Sequence, residues 1–255
     1  MEALLETKQL SVSFGEHHVI KNLNLKIPKG KFISIIGPNG AGKTTLFNLL
    51  SGQLSPTKGE IFFKDKNITK LSPASRTRLG IGRSFQLTNI FPELSVLENV
   101  RLAVQSTKKD YYGIFPRLSK FRSQVEKAKE ILETVFLQDK QNILAKNLSH
   151  GDKRKLEIAM ILALQPELIL LDEPTAGISI EEVPAILNII ENLKKDPNNT
   201  VVLIEHKMEM VLQLSDYLIV LFNGEFLAEG EPEEIMKNEQ VQRAYLGGMP
   251  HVKSS

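Results

Sequence analysis

The stretch Gly37-Pro38-Asn39-Gly40-Ala41-Gly42-Lys43-Thr44-Thr45 constrains this 255-residue chain more than any other. An apolar run, Phe32-Ile33-Ser34-Ile35-Ile36, precedes it and reads as a buried strand. Leu46-Phe47-Asn48-Leu49-Leu50 follows and reads as the start of a helix. G-x-x-x-x-G-K-T between a strand and a helix is a phosphate cradle. Its glycines let consecutive backbone N–H groups converge on one anion, and the helix N-terminus adds about half a positive charge. Lys43 can then bridge the β- and γ-phosphates, and the Thr44 hydroxyl can ligate Mg²⁺. A glycine-rich turn with a chance lysine would not bring the matching strand and helix with it. The sequence therefore predicts a protein that binds a nucleoside triphosphate.

Composition narrows the setting. The length suits one large α/β domain or a core with a satellite subdomain. Apolar residues make up 42% and charged residues 24%, enough for a real core in a globular chain. A formal charge of +2 argues against a nucleic-acid partner recruited by bulk electrostatics. The absence of cysteine excludes disulfides, thiolate zinc sites and cysteine nucleophiles. The start, Met1–Glu6, is acidic and too short in apolar length for a secretory signal. Apolar runs such as Leu168–Leu171 and Leu218–Phe222 fall far short of the roughly 18 residues of a membrane span. Any membrane association is thus expected through a partner, with the cytosolic side as the location.

Along the chain, Gln9–Phe14 and Asn22–Ile27 alternate like strands around a turn at Gly15–His18. His17 and His18 have no ligand spacing and read as loop residues. Phe14 reads either as a core residue or, if exposed, as an aromatic able to stack on a purine. Ser55–Gly59 is a turn and Glu60–Lys64 a strand. Gly82–Gln86 is a further short extended segment ending in a polar side chain. Leu94–Val104 and Gln124–Phe136 have helical periodicity, joined by the basic and aromatic link Lys108–Pro116, which reads as a solvated loop. This region reads as a helical subdomain inserted into the α/β core. Leu148–Lys153 opens a helix running to Leu164, with Ser149 and Asp152 spaced as a capping box. Leu168–Leu171 is a buried strand ending in Asp172-Glu173-Pro174. Ile180–Leu193 reads as a helix, Thr200–Ile204 as a buried strand before Glu205-His206, and Asn223-Gly224 as a hairpin turn between Tyr217–Phe222 and Glu225–Ala228. The tail from Pro250 to Ser255 is expected to fray.

Asp172 and Glu173 close an all-apolar strand, and open parallel sheets bind ligands at that edge. The carboxylates are expected to serve the phosphate cradle, Asp172 by holding Mg²⁺ through water and Glu173 by orienting or deprotonating the attacking water. His206 follows another buried strand and can contact the γ-phosphate, or can be structural.

In order, these residues resemble the nucleotide-binding subunits of ABC transporters. Phe14 matches the adenine-stacking aromatic, Gly37–Thr45 the Walker A loop and Gln86 the Q-loop. Leu148–Lys153 matches the signature motif, Leu168–Glu173 the Walker B strand with its catalytic glutamate, and His206 the switch histidine. The resemblance implies a P-loop NTPase (RecA-like) α/β fold with a mainly parallel core sheet, an antiparallel β subdomain and an inserted helical subdomain. It implies a single domain over residues 1–249: core and β subdomain at about 1–86 and 156–249, helical subdomain at about 87–155, and a flexible tail at 250–255. Catalysis would rest on Glu173, His206 and Gln86. ATP would be held by Phe14, Asn39, Gly40, Ala41, Gly42, Lys43, Thr44 and Thr45, and Mg²⁺ by Thr44, Gln86 and Asp172. In a head-to-tail dimer, with a second copy or a paralogous ATPase subunit, each ATP would also meet Ser149 and Gly151 of the other subunit. The further partners implied are transmembrane permease subunits and, indirectly, a substrate-binding protein, placing the chain on the cytoplasmic face of the membrane.

Within the family, Phe14-Gly15, Leu156–Ala159, Ile204–His206 and Ala244–Gly247 look like the branched-chain amino acid importer ATPases. Urea and short-amide importers and the lipopolysaccharide-export ATPase are similar. Three positions depart from the family pattern. His150 replaces a signature glycine, and Asp152 replaces a glutamine, a carboxylate that Lys153 or Arg154 would have to offset. Ser179 stands where an acidic or amide side chain is usual. A GTPase would need an N-K-x-D motif, which is missing, and a kinase would not need a signature helix. Non-transport ABC proteins resemble tandem cassettes or carry coiled-coil insertions, which this chain lacks. The stretch Ile90–Leu94 is expected either to dock on the permease or to pack in the core.

Overall fold

The computed structural model describes residues 2–84, 90–107 and 118–246. Gln86, the 108–116 link and the 250–255 tail lie outside these residues. The first elements are β1 (Ala3–Phe14), β2 (His17–Pro28), β3 (Phe32–Ile36), α1 (Lys43–Ser51), β4 (Lys58–Phe63), β5 (Lys66–Asn67), α2 (Pro73–Leu79) and β6 (Ile81–Arg83). Next come α3 (Val96–Ser106), α4 (Leu118–Thr134), α5 (His150–Ala163), β7 (Leu168–Asp172) and α6 (Val183–Lys195). The last are β8 (Thr200–Ile204), α7 (Met208–Leu214), β9 (Tyr217–Phe222), β10 (Glu225–Gly230), α8 (Pro232–Lys237) and α9 (Glu239–Leu246). The chain divides into two compact units, Met1–Arg76 with Asp196–Ser255, and Thr77–Lys195.

In the first unit, β3 is the organising strand. All of its residues are buried, as a strand must be when parallel neighbours flank it on both sides and helices cover its faces. It pairs in parallel with β8, Ile35 opposite Ile204, and with β9, Ile35 opposite Ile219. Each fully buried Ile, Val or Leu here contributes about 1.5–3 kcal/mol. The β9–β10 hairpin is antiparallel and turns at Asn223-Gly224, where φ is 50° and 81°. Those two positive angles are what a tight hairpin turn requires. A separate antiparallel sheet, ordered β2-β1-β4-β5, buries alternate residues such as Leu10, Val12, Leu23, Leu25 and Ile27. Ile36 of β3 joins a cluster with Val211, Leu218, Val220, Ile235 and Val241, so α7, α8 and α9 cover one face of the strand. Arg76, 1% exposed, closes the far end of α1 by donating to the carbonyls of Leu49, Leu50 and Thr69. Burial pushes its guanidinium down to about 10.

In the second unit, β6 and β7 run parallel, Ile81 opposite Leu168 and Arg83 opposite Leu170. The helix α3 starts two residues later than its periodicity suggests, because Ser95 caps it by accepting from the Glu98 amide at 3.2 Å. The helix α6 begins at Val183 rather than Ile180. Pro184 fits only in a first turn, and Ile180 is left 85% exposed.

Candidate functional site

The first unit presents the expected phosphate cradle, Gly37–Thr45, at the carboxyl end of β3. Gly42, at φ 96°, is the N-cap of α1. No side chain caps that helix and no acidic residue stands in its first turn, so its positive end is left for an external anion. Two glycines are dictated by close approach. A Cβ on Gly37 would lie 2.2 Å from the Leu221 carbonyl oxygen, and one on Gly42 would lie 2.7 Å from the Ile20 side chain. The hairpin turn of β9–β10 supports the loop from behind, Gly224 N–H donating to the Ala41 carbonyl at 3.2 Å. Lys43 is buried, and its ammonium donates to the carbonyls of Gly37 (2.7 Å) and Pro38 (3.0 Å). Asn39 and Gly40 are exposed at the rim, Ala41 and Gly42 buried, and Thr44 and Thr45 half-buried in the first turn of α1.

His206 stands two residues beyond β8, as Gly37 and Pro38 stand beyond β3, and Ile35 pairs with Ile204. Histidine and cradle thus share one sheet edge. The His206 side chain is exposed, while the buried Glu205 accepts from the His206 backbone amide at 3.0 Å and shapes the bend. Phe14 is 53% exposed at the end of β1, which rules out the core alternative. Tyr245 of α9 packs against the cluster holding Ile36. Burial pushes its phenol up to about 12, opposed by the Gly37 amide.

The second unit carries the carboxylates. Asp172 is fully buried at the end of β7, and its backbone amide donates to Ser84 Oγ at 3.0 Å. Its Oδ2 accepts from Arg83 Nη2 at 3.3 Å, whereas Oδ1 is buried without a hydrogen-bond partner among the described residues. Burial pushes Asp172 above the usual carboxylate range, Arg83 opposing and Glu173 adding to the rise. Glu173 is half-buried and has φ 46°, a left-handed conformation that a glutamate adopts only when its surroundings enforce it. No cluster of three or more His, Cys, Asp or Glu able to hold a metal occurs among the described residues. A site in which Mg²⁺ takes one or two carboxylates plus phosphate oxygens and waters does not need one.

Ser149 is the N-cap of α5, its Oγ accepting from the Asp152 amide at 3.1 Å. Only half of a capping box forms, because the Asp152 carboxylate turns to Lys140 and Lys155 instead of back to Ser149. The partner expected for Asp152, Lys153 or Arg154, is therefore corrected to Lys140 and Lys155. Burial alone would raise Asp152, but the hydrogen bonds from Lys140 and Lys155 outweigh it and hold the carboxyl below its usual range. His150 is exposed.

A second carboxylate, that of Glu182, sits over the α5 N-terminus. Ser149 Oγ donates to it at 2.7 Å and Ser179 Oγ at 3.4 Å, and a Cβ on Gly151 would lie 2.4 Å from its carboxyl carbon. The Ser149 hydrogen bond holds Glu182 below the usual range. Gly151 is thus required for an anion to approach the helix end, and here the anion is the chain's own. Residues 90–94 are held by Asn99, which accepts from the Phe91 amide at 2.7 Å and donates to its carbonyl at 3.0 Å. Phe91 is 51% exposed, so core packing does not describe this stretch.

The sequence reading has Arg154 only as an offset for Asp152, and misses its buried pairing with Glu157. Both are buried and paired on α5, and Arg154 also donates to the carbonyls of Asp172 (2.7 Å) and Pro174 (3.2 Å). Their i,i+3 spacing is a signal, but on most helices it marks a solvent-facing pair.

A family profile described as ABC transporter matches residues 20–176, and one described as branched-chain amino acid ATP-binding cassette transporter matches residues 227–251. The chain is 39% identical over 251 residues to the high-affinity branched-chain amino acid transport ATP-binding protein LivG of Escherichia coli (strain K12), covering 96% of this chain and 98% of the relative. It is 37% identical over 249 residues to the corresponding protein BraF of Pseudomonas aeruginosa, covering 96% and 98%. The crystal structure of a nucleotide-free ATP-binding cassette from an ABC transporter superposes with a TM-score of 0.82 at 32% identity, covering 96% of this chain and 99% of that one. A bacterial ABC transporter cassette solved as a dimer superposes with a TM-score of 0.77 at 29% identity, covering 89% and 98%. No helix among the described residues is long and apolar enough to cross a membrane. The chain belongs to the ABC transporter family and is its ATP-binding, ATP-hydrolysing component.

Proposed function

We propose that this chain powers a branched-chain amino acid importer from the cytoplasmic face of the membrane. It would act as a dimer, with a second copy or a paralogous ATPase, beneath permease subunits fed by a substrate-binding protein. One observation carries the substrate class: the likeness to relatives of that name runs through nearly the whole chain, the segment 227–251 included.

In this reading the amides of Asn39–Thr45 and the Lys43 ammonium receive the β- and γ-phosphates of ATP, and Phe14 stacks on its adenine. Mg²⁺ supplies charge neutralisation between the phosphates. Thr44, Gln86 and Asp172 would hold it, and the buried Oδ1 of Asp172, which has no hydrogen-bond partner among the described residues, fits that role. Glu173 takes the proton of the attacking water, and His206 donates to the γ-phosphate. Ser149 and Gly151 receive the γ-phosphate of ATP held by the other subunit, displacing the Glu182 carboxylate. Residues 87–155 form the arm that passes the motion on, with the exposed Phe91 in its contact with the permease.

The test is ATP-driven uptake into proteoliposomes by this chain purified with its permease subunits and binding protein. Leucine uptake that Glu173→Gln abolishes is the expected result. Uptake of urea or a short amide without leucine would contradict the substrate assignment.

A further inference from the structure

We propose that Arg154 is a positioning residue for ATP hydrolysis, fixing the turn that carries Glu173 and tying it to the helix that begins at Ser149. The inference rests on the reading of Glu173 as general base. The Arg154 side chain is 9% exposed. Its Nη2 donates to the carbonyl of Asp172 at 2.7 Å and its Nε to that of Pro174 at 3.2 Å. These are the residues on either side of Glu173, whose φ of 46° is left-handed. That conformation is disfavoured for an L-residue, and it persists only where neighbouring contacts over-determine it. The guanidinium supplies such contacts, because its planar fork presents several N–H groups in fixed directions, whereas a lysine ammonium is a point charge on a flexible stem.

The rest of the cluster is arranged so that Arg154 serves the backbone. Glu157, three residues along α5 and itself buried, accepts from Arg154 Nη1 and balances its charge. The Asp172 carboxylate takes its ion pair from Arg83. Arg154 is therefore a clamp on two carbonyls that bracket the catalytic glutamate. It stands five residues after Ser149, about 7.5 Å along the axis at 1.5 Å per residue. A shift of the α5 N-terminus on meeting the other subunit's nucleotide is thereby carried to Glu173. Placement matters at this level, since a misplacement of about 1 Å can lower a rate by about 10²-fold.

Steady-state ATPase kinetics of the full chain test the proposal, with Arg154→Lys, Glu173→Gln and the double variant compared. Arg154→Lys is expected to lower kcat by about ten- to a hundredfold while leaving KM for ATP and the ATP-driven dimer unchanged. In the Glu173→Gln background the same change is expected to alter the residual rate by less than about twofold, because both act through one group. A merely structural arginine would lower the rate equally in both backgrounds, and that result overturns the proposal. Glu157→Gln keeps the guanidinium and removes its counter-charge. It is expected to lower kcat less than Arg154→Lys at unchanged KM, and should Arg154→Lys fail to fold, a wild-type kcat in Glu157→Gln overturns the proposal. Turnover that Glu173→Gln leaves intact overturns the underlying reading and the proposal with it. Turnover that needs Glu173 but is indifferent to Arg154→Lys overturns the proposal alone.

Discussion

The ammonium of Lys43 lies 2.7 Å from the Gly37 carbonyl and 3.0 Å from that of Pro38, so its charge is fixed in the loop before any phosphate arrives. Two of its three N–H groups are taken up there, and any further phosphate contact exchanges a carbonyl for a charged oxygen, the stronger acceptor. Lys43→Ala is expected to weaken ATP binding at least about tenfold, a charged hydrogen bond at roughly 1.5–3 kcal/mol being lost. Isothermal titration calorimetry checks it, and wild-type affinity would remove Lys43 from the site. Asp152 carries a pH prediction. Its folded-state pKa is depressed below the usual value by Lys140 and Lys155 against the opposing effect of burial. The stabilisation is therefore fully present above about pH 3.9, the unfolded value, and is lost as pH falls through the lower folded one. Asp152→Asn is expected to cost on the order of 1 kcal/mol at pH 7, a few degrees of Tm, after discounting for the exposed Lys140. The Tm gap between variant and wild type should narrow steadily as melts are taken at lower pH below that value, and a gap independent of pH would show that the ion pairs contribute nothing.

Among the elements, the β9–β10 turn does more than reverse the chain. A Cβ on Gly224 would lie 2.2 Å from the Val19 carbonyl oxygen, at a φ of 81°, while the Gly224 amide holds the Ala41 carbonyl. Gly224→Ala is expected to lose at least about 1 kcal/mol from backbone strain alone and to loosen the cradle. Thermal melts and ATP affinity should both fall; a variant unchanged in both would mean that the turn does not support the loop. Asn223-Gly224 was legible as a turn because its residue types are those that tolerate positive φ, but its purchase on Ala41 depends on a distant strand. The same divide runs through the site. β3, the cradle and β7 could be read from apolar runs and glycine spacing, which are local. The helices α7, α8 and α9 are short, and their apolar residues make sense only against Ile36, Leu218 and Val220. The pairing of Asp152 with Lys140, and of Arg154 with the carbonyls beside Glu173, likewise depends on segments far apart in sequence. A carboxylate from Glu182 over Ser149 and Gly151 had no local signal at all.

At the scale of the whole molecule, two copies of the cassette, or this chain and a paralogue, would share each nucleotide. The α5 N-terminus offers Ser149 and Gly151, and in the single chain Glu182 already sits there as an anion. Ser149→Arg is expected to leave ATP binding by the single chain unchanged, since the cradle belongs to Gly37–Thr45, and to block dimer closure by filling that helix end. An ATP-dependent dimer of normal stability would sink the shared-site arrangement. Loss of hydrolysis without loss of binding is the complementary expectation for Glu173→Gln, general-base catalysis being worth roughly 10²–10⁴-fold. That variant allows the most direct measurement: size-exclusion chromatography with light scattering on Glu173→Gln, with and without Mg-free ATP. A monomer without nucleotide and a stable dimer with it is the expected result. A variant that binds ATP and remains monomeric would contradict the closure of two copies of this chain as the ATP-driven step.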